Sequence, residues 1–174
     1  MTARTRNHLP AVLLGACLAW GAAVVHAQGC ALATSRFVAD GDGVQDRTTG
    51  LVWSRCNLSR RFDPATRTCT GPAYVTDRPD SARRAMEALS RESGGTWRLP
   101  TVEELRAVFD ERCTRDEQNR SLFGALDGTP LWSSSTDPTG KTWQLDREGN
   151  GGRPEYYTVE TGAATIIGVR SGSR

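Results

Sequence analysis

The stretch Trp97-Arg98-Leu99-Pro100-Thr101-Val102-Glu103-Glu104-Leu105 passes from strand to helix within a few residues. Trp97-Arg98-Leu99 reads as a short strand, and Pro100-Thr101 leads into a helix. Thr101 with Glu104 forms the S/T-x-x-E capping box, which satisfies orphan amide donors at a helix start. Val102, Leu105, Val108 and Phe109 then recur at helical spacing and give that helix one apolar face.

Upstream, Pro79-Asp80-Ser81 opens an earlier helix. Ala82, Ala85, Met86 and Leu89 fall on one side of it, and Arg83, Arg84, Glu87 and Arg91 on the other. Gly94-Gly95 ends it. Nearer the N-terminus, Arg36-Phe37-Val38-Ala39 reads as a strand, followed by the turn Asp40-Gly41-Asp42-Gly43. A second turn spans Asp46 to Gly50, then comes the strand Leu51-Val52-Trp53-Ser54-Arg55-Cys56. Asn57 to Gly71 is a polar loop. Downstream, strands are expected over Leu131–Ser135, Lys141–Leu145, Tyr156–Val159 and Thr165–Val169, with a turn cluster from Gly149 to Gly152. Two helices set among such strands predict a single α+β domain. Trp53, Trp97, Trp132 and Trp143 each fall inside a strand-like block, where core packing is the natural role.

Residues 1–27 have the layout of a secretory signal. Arg4, Arg6 and His8 make a short basic start, the run from Leu9 to Val25 is uncharged, and no acidic residue precedes Asp40. Val25-His26-Ala27 supplies small residues at the two positions a signal peptidase reads, so cleavage is expected between Ala27 and Gln28. A permanent span is the rival reading, but a spanning helix wants about 20 apolar residues, and this run is shorter and contains Pro10, Gly15 and Gly21. A second rival is lipoprotein processing before Cys17, because Leu14-Gly15-Ala16-Cys17 loosely fits a lipobox. It would leave the apolar Leu18 to Val25 where a polar tether is usual. Cleavage after Ala27 leaves residues 28–174 as one domain with no stable membrane span, periplasmic or delivered to the cell surface or medium.

Arg4 and Arg6 account for the whole formal charge of +2, so residues 28–174 are neutral. That gives no argument for a nucleic-acid partner. Four cysteines remain there, Cys30, Cys56, Cys69 and Cys113, an even number suited to an oxidising compartment. Three pairings are open. Cys56–Cys69 with Cys30–Cys113 is favoured because the first pair brackets a compact polar loop, and closing that loop contributes about 3 kcal/mol in the chain-entropy picture. Both histidines, His8 and His26, lie in the signal. Residues 28–174 therefore cannot run a Ser-His-Asp or Cys-His mechanism or build a histidine zinc site. No cofactor and no metal site is expected. Carboxylate chemistry of the glycosidase kind survives as an alternative, yet no pair of acids is marked for it.

The residues from Arg36-Phe37-Val38 through Asp42-Gly43, with Thr48-Thr49-Gly50-Leu51-Val52-Trp53, resemble the opening of the Lcl C-terminal domain family. Trp97 to Leu105 is similar to that family's most recognisable block. Leu131-Trp132-Ser133-Ser134-Ser135 resembles the next, and Lys141-Thr142-Trp143 with Val169-Arg170 the last. The resemblance implies a C-type-lectin-like, formylglycine-generating-enzyme-like architecture with two disulfides, in agreement with the pairing above. It also implies bacterial secreted or surface proteins, among them a collagen-like adhesin whose C-terminal domain trimerises and binds sulfated glycans. This chain has no Gly-X-Y tract. It also lacks the late cysteine pair of the generating enzymes and the Glu-Pro-Asn or Gln-Pro-Asp signatures of calcium-dependent lectins.

Two groups of side chains stand out as candidate sites. Asp40, Asp42 and Asp46 have an acidic cation-binding look, but their spacing is not that of an EF-hand, and turn geometry accounts for Asp and Gly there. Arg60, Arg61 and Arg67 cluster on the polar loop, which is expected to be exposed; a solvated basic loop is the plain reading, and the sharper one is that arginine suits sulfate or carboxylate through forked hydrogen bonds. The expected function is a non-enzymatic binding module for an anionic glycan or an envelope or adhesin partner. A purely structural envelope subunit is the bland alternative.

Overall fold

The computed structural model describes residues 36–41, 43–109, 123, 129–147 and 155–172. Expectations that fall on Cys17, Ala27, Gln28, Cys30, Asp42 and Cys113 lie outside these residues, as does the turn cluster 149–152.

The element order is β1 (Phe37–Asp40), β2 (Gly43–Asp46), β3 (Leu51–Ser54), β4 (Arg61–Asp63), β5 (Thr68–Thr70), β6 (Val75–Thr76), α1 (Pro79–Ser93), α2 (Val102–Val108), β7 (Leu131–Thr136), β8 (Thr142–Asp146), β9 (Glu155–Val159), β10 (Ala164–Thr165) and β11 (Val169–Ser171). The architecture is α+β, as expected. Strands β1-β2-β3-β11 form one antiparallel sheet, β6-β10-β7-β8-β9 a second, and β4-β5 a small hairpin. The sheets are not wholly antiparallel, because β10 pairs with β7 in parallel.

Local sequence accounts for most of the elements. Gly41 takes φ 56° between β1 and β2, a left-handed conformation that glycine adopts without steric cost. Helix α1 has Pro in its first turn, where a missing N–H costs nothing, and Gly94 ends it in the left-handed region at φ 68°. Helix α2 carries the full capping box: Thr101 accepts from the Glu104 amide, and Glu104 accepts from the Thr101 amide.

The five-stranded sheet has two buried faces, and alternation along the chain sorts residues between them. Leu131, Leu145 and Ile167 join Phe37, Trp53, Leu105 and Phe109 in one cluster, between this sheet, α2 and the four-stranded sheet. Trp132 and Ile166 join Ala82, Met86 and Leu99 in the other, beneath α1. Trp53 and Trp132 are buried, but Trp97 and Trp143 are only half-buried and each faces a guanidinium. The core-packing expectation thus holds for two of the four tryptophans.

Three further expectations need correction. Asn57 to Gly71 is not an open loop but contains the β4–β5 hairpin. Trp97-Arg98-Leu99 forms a single bridge, Arg98 to Val169, rather than a strand. Thr165 to Val169 is not one strand: the chain leaves the second sheet after Thr165 and enters the first at Val169. Every residue from Ala164 to Val169 is buried, so the crossing is made inside the core.

Candidate functional site

The end of β3 is anchored by Ser54. Its hydroxyl donates to the Cys56 carbonyl at 3.1 Å and accepts from the Gly168 amide at 2.9 Å. Cys56 is bonded to Cys69, with Cα atoms 5.7 Å apart. Both are buried, so the disulfide holds the base of the β4–β5 hairpin against the body of the domain.

The three loop arginines do not form one cluster. Arg60 is half-buried, and its guanidinium donates to the Cys69 carbonyl. It braces the stapled segment rather than extending from it, which corrects the exposed-loop expectation. Arg61 starts β4 opposite Thr70 and is exposed. Arg67 is exposed at the other end of the hairpin, in the turn, with φ 56°. Arg55, not singled out from the sequence, is a further cation on this wall. Its guanidinium lies 3.5 Å from the Phe62 ring centroid. Its place beside Cys56, at the mouth of the stapled loop, was the available signal.

A cleft of about 770 Å³ opens between the stapled segment and the C-terminal half of α1. Arg55, Arg60, Arg61 and Phe62 line one side, and Met86, Leu89 and Trp97 an apolar part. Gly168 permits this floor to close: a Cβ there would meet the Trp97 ring at 3.0 Å and the Met86 sulfur at 3.2 Å. Glu92 is the one carboxylate among the described lining residues. Such a site can hold an oxyanion by guanidinium hydrogen bonds and cover an apolar ring face. Paired acids, which glycoside hydrolysis ordinarily uses, are not among its described lining residues.

The acidic turn residues have other tasks. Asp46 is 1 % exposed and takes two hydrogen bonds from Arg36, at 2.8 and 2.5 Å, with a third from the Thr48 amide at 2.9 Å. Burial pushes its pKa up, but Arg36, the Thr48 amide and the Thr49 hydroxyl together outweigh burial and hold it below the ordinary carboxylate value. Asp40 approaches Arg170 at 3.9 Å. Asp46 is thus a fold anchor, and among the described residues no three His, Cys, Asp or Glu side chains are grouped to hold a metal ion.

The sequence blocks that resemble one family meet in space. Ser134 donates its amide to the Pro100 carbonyl at 2.7 Å, and Val102 donates its amide to Ser135 Oγ at 3.0 Å. Val169 pairs with Trp53 on one side and Arg98 on the other. No curated protein sequence and no solved structure matches the chain significantly. The model of the Lcl C-terminal domain matches residues 42–170, from the β1–β2 turn into β11. The chain therefore belongs to the Lcl C-terminal domain family.

Proposed function

We propose that this protein is an exported bacterial binding module, and that the cleft beside the stapled hairpin takes an anionic group of a glycan or an envelope partner. The observation that carries this reading is the joint lining of one cleft by Arg55, Arg60 and Arg61 with the apolar Trp97, Met86 and Leu89. Guanidinium groups supply forked donors to sulfate or carboxylate, while apolar and aromatic surface fixes the ring that bears it. Export is supported by the signal-like residues 1–27 and by the Cys56–Cys69 bond, which suits a periplasmic or extracellular setting. A C-type-lectin-like arrangement is the finer form of the fold in this proposal. It is supported by β1 and β11, near opposite ends of the described chain, sharing one sheet.

Salt elution from immobilised heparin tests the reading. Arg61→Ala should elute at lower salt than the unmodified protein, because an exposed cation at the cleft is lost. Arg67→Ala should elute unchanged, since Arg67 does not line the cleft. Loss of retention with Arg67→Ala but not Arg61→Ala would move the site to the hairpin tip.

A further inference from the structure

The two walls of the cleft carry opposite charges that do not meet. Arg61, at the start of β4, and Glu92, in the last turn of α1, both line it and both are exposed. Among the described residues neither has an ion-pair partner. Each is carried on a fixed element. Strand β4 pairs with β5, which the Cys56–Cys69 bond ties to the chain just after β3, and Glu92 belongs to a helix of 15 residues.

The cleft continues past this pair of charges. A cavity of about 520 Å³ extends it along α1, and the two share Leu58, Ser59, Leu89 and Glu92. Ser93 lines the first and Ser81 the second, so the groove follows α1 for about 18 Å at a rise of about 1.5 Å per residue. That length accommodates about five or six residues of extended chain at roughly 3.3 Å each. Its middle is set before any ligand arrives: Leu58 donates its amide to the Ile166 carbonyl at 2.8 Å, and its carbonyl accepts from the Tyr74 amide at 2.8 Å.

We infer that this groove holds an extended stretch of another polypeptide that carries both charge signs. An acidic side chain of the partner faces Arg61, a basic one faces Glu92, and an apolar one covers Leu58 and Leu89 where the cavities join. The inference rests on the cleft being the binding site, and it names the class of partner. A uniformly anionic chain would bring like charge against Glu92, and a neutral one would leave both wall charges without a counter-charge. A single amino acid has both signs but leaves most of the groove empty. A peptide places acid, base and apolar group on separate residues, and so meets charges held on separate walls.

Random dodecapeptides displayed on phage and panned against the protein test this. The selected sequences should combine an acidic, a basic and an apolar residue within about six positions. The strongest, synthesised and titrated by fluorescence anisotropy, should bind about tenfold more weakly to Arg61→Glu and to Glu92→Arg. Reversing the charge of the peptide's basic residue should restore binding to Glu92→Arg and not to Arg61→Glu, a compensation that loss of fold could not produce. Acid-only sequences, with binding weakened by Arg61→Glu alone, would overturn the two-sign partner and leave the anion-binding cleft in place. No selected peptide, or a peptide indifferent to both reversals, would overturn the polypeptide partner. Heparin elution of Arg61→Ala, read separately, then decides whether the cleft takes a glycan.

Discussion

Arg98 and Val169 exchange both of their backbone hydrogen bonds, each at 2.9 Å, although neither belongs to a strand shared with the other. The segment between the two helices is thereby tied to the last strand of the four-stranded sheet. The Arg98 side chain then turns to Glu104, with donor–acceptor distances of 2.8 and 2.7 Å. Glu104 also accepts the Thr101 amide at 2.8 Å. One carboxylate therefore joins the bridge, the helix cap and the start of α2.

Thr101→Ala removes the hydroxyl that accepts the Glu104 amide and should cost about 1 kcal/mol. Glu104→Gln keeps one oxygen for the Thr101 amide, but it replaces the other, which accepts from Arg98, by an amide donor and removes the charge of a pair whose arginine is half exposed to solvent. That loss should be below about 1 kcal/mol and shrink further in salt. Urea unfolding of the two variants at low and high ionic strength checks both the order and the salt response.

Acid should destabilise the domain through Asp46 and Glu104. Hydrogen bonds from Arg98 chiefly hold Glu104 below its ordinary 4.5, against the opposing effect of burial. Asp46 lies below its ordinary 3.8 for the reasons given above. In this range the unfolded chain binds more protons than the folded one. The stabilisation is therefore fully present above the unfolded values and is lost as pH falls through the folded ones. Stability measured from pH 6 downward should decline first near pH 4.5. Asp46→Asn should lower stability at pH 6 by about 2 kcal/mol and flatten the decline at the acid end.

Gly43→Ala should destabilise by about 1 to 3 kcal/mol. A Cβ there would lie 2.6 Å from Val52 Cγ1 and 3.2 Å from the Trp53 carbonyl oxygen. Val52 is buried in β3 and the oxygen is backbone, so neither neighbour can yield cheaply. The shift in denaturation midpoint measures the cost.

Much of the fold was legible because its signals are local. The capping box at Thr101 and Glu104, Pro79 at one end of α1 and Gly94 at the other, and the Asp-Gly turn after β1 each name their structure through backbone geometry alone. The misses are tertiary. Arg61-Phe62-Asp63 and Thr68-Cys69-Thr70 are too short to show a strand period, so their pairing depends on the Cys56–Cys69 bond and the hairpin turn. Thr165 to Val169 shows no polar–apolar alternation, and such a run does not reveal that the chain changes sheets midway. At the candidate site, the value of arginine-rich spacing was partial. It marked Arg60 and Arg61, but nothing local shows that Arg60 turns inward to Cys69, that Arg67 sits in the hairpin turn outside the cleft lining, or that Arg55 joins the cleft.

Removing the disulfide should cost about 3 kcal/mol, because it closes a loop with a sequence separation of 13. Cys56→Ala with Cys69→Ala should leave a folded domain whose β4–β5 hairpin is less protected than the main sheets. Hydrogen exchange of residues 57–71 against β3 and β7 reports this difference. Anion binding should weaken in the same variant, since Arg60 and Arg61 lose their fixed base.

Backbone amide shifts recorded while a heparin-derived tetrasaccharide is titrated into residues 28–174 address the cleft itself. Shifts should concentrate at residues 55–62 and 86–97, with Arg61→Ala weakening them by about tenfold in ligand concentration. Shifts confined to β8 and β9, with the amides of 55–62 and 86–97 unmoved, would contradict the assignment of the binding site to this cleft.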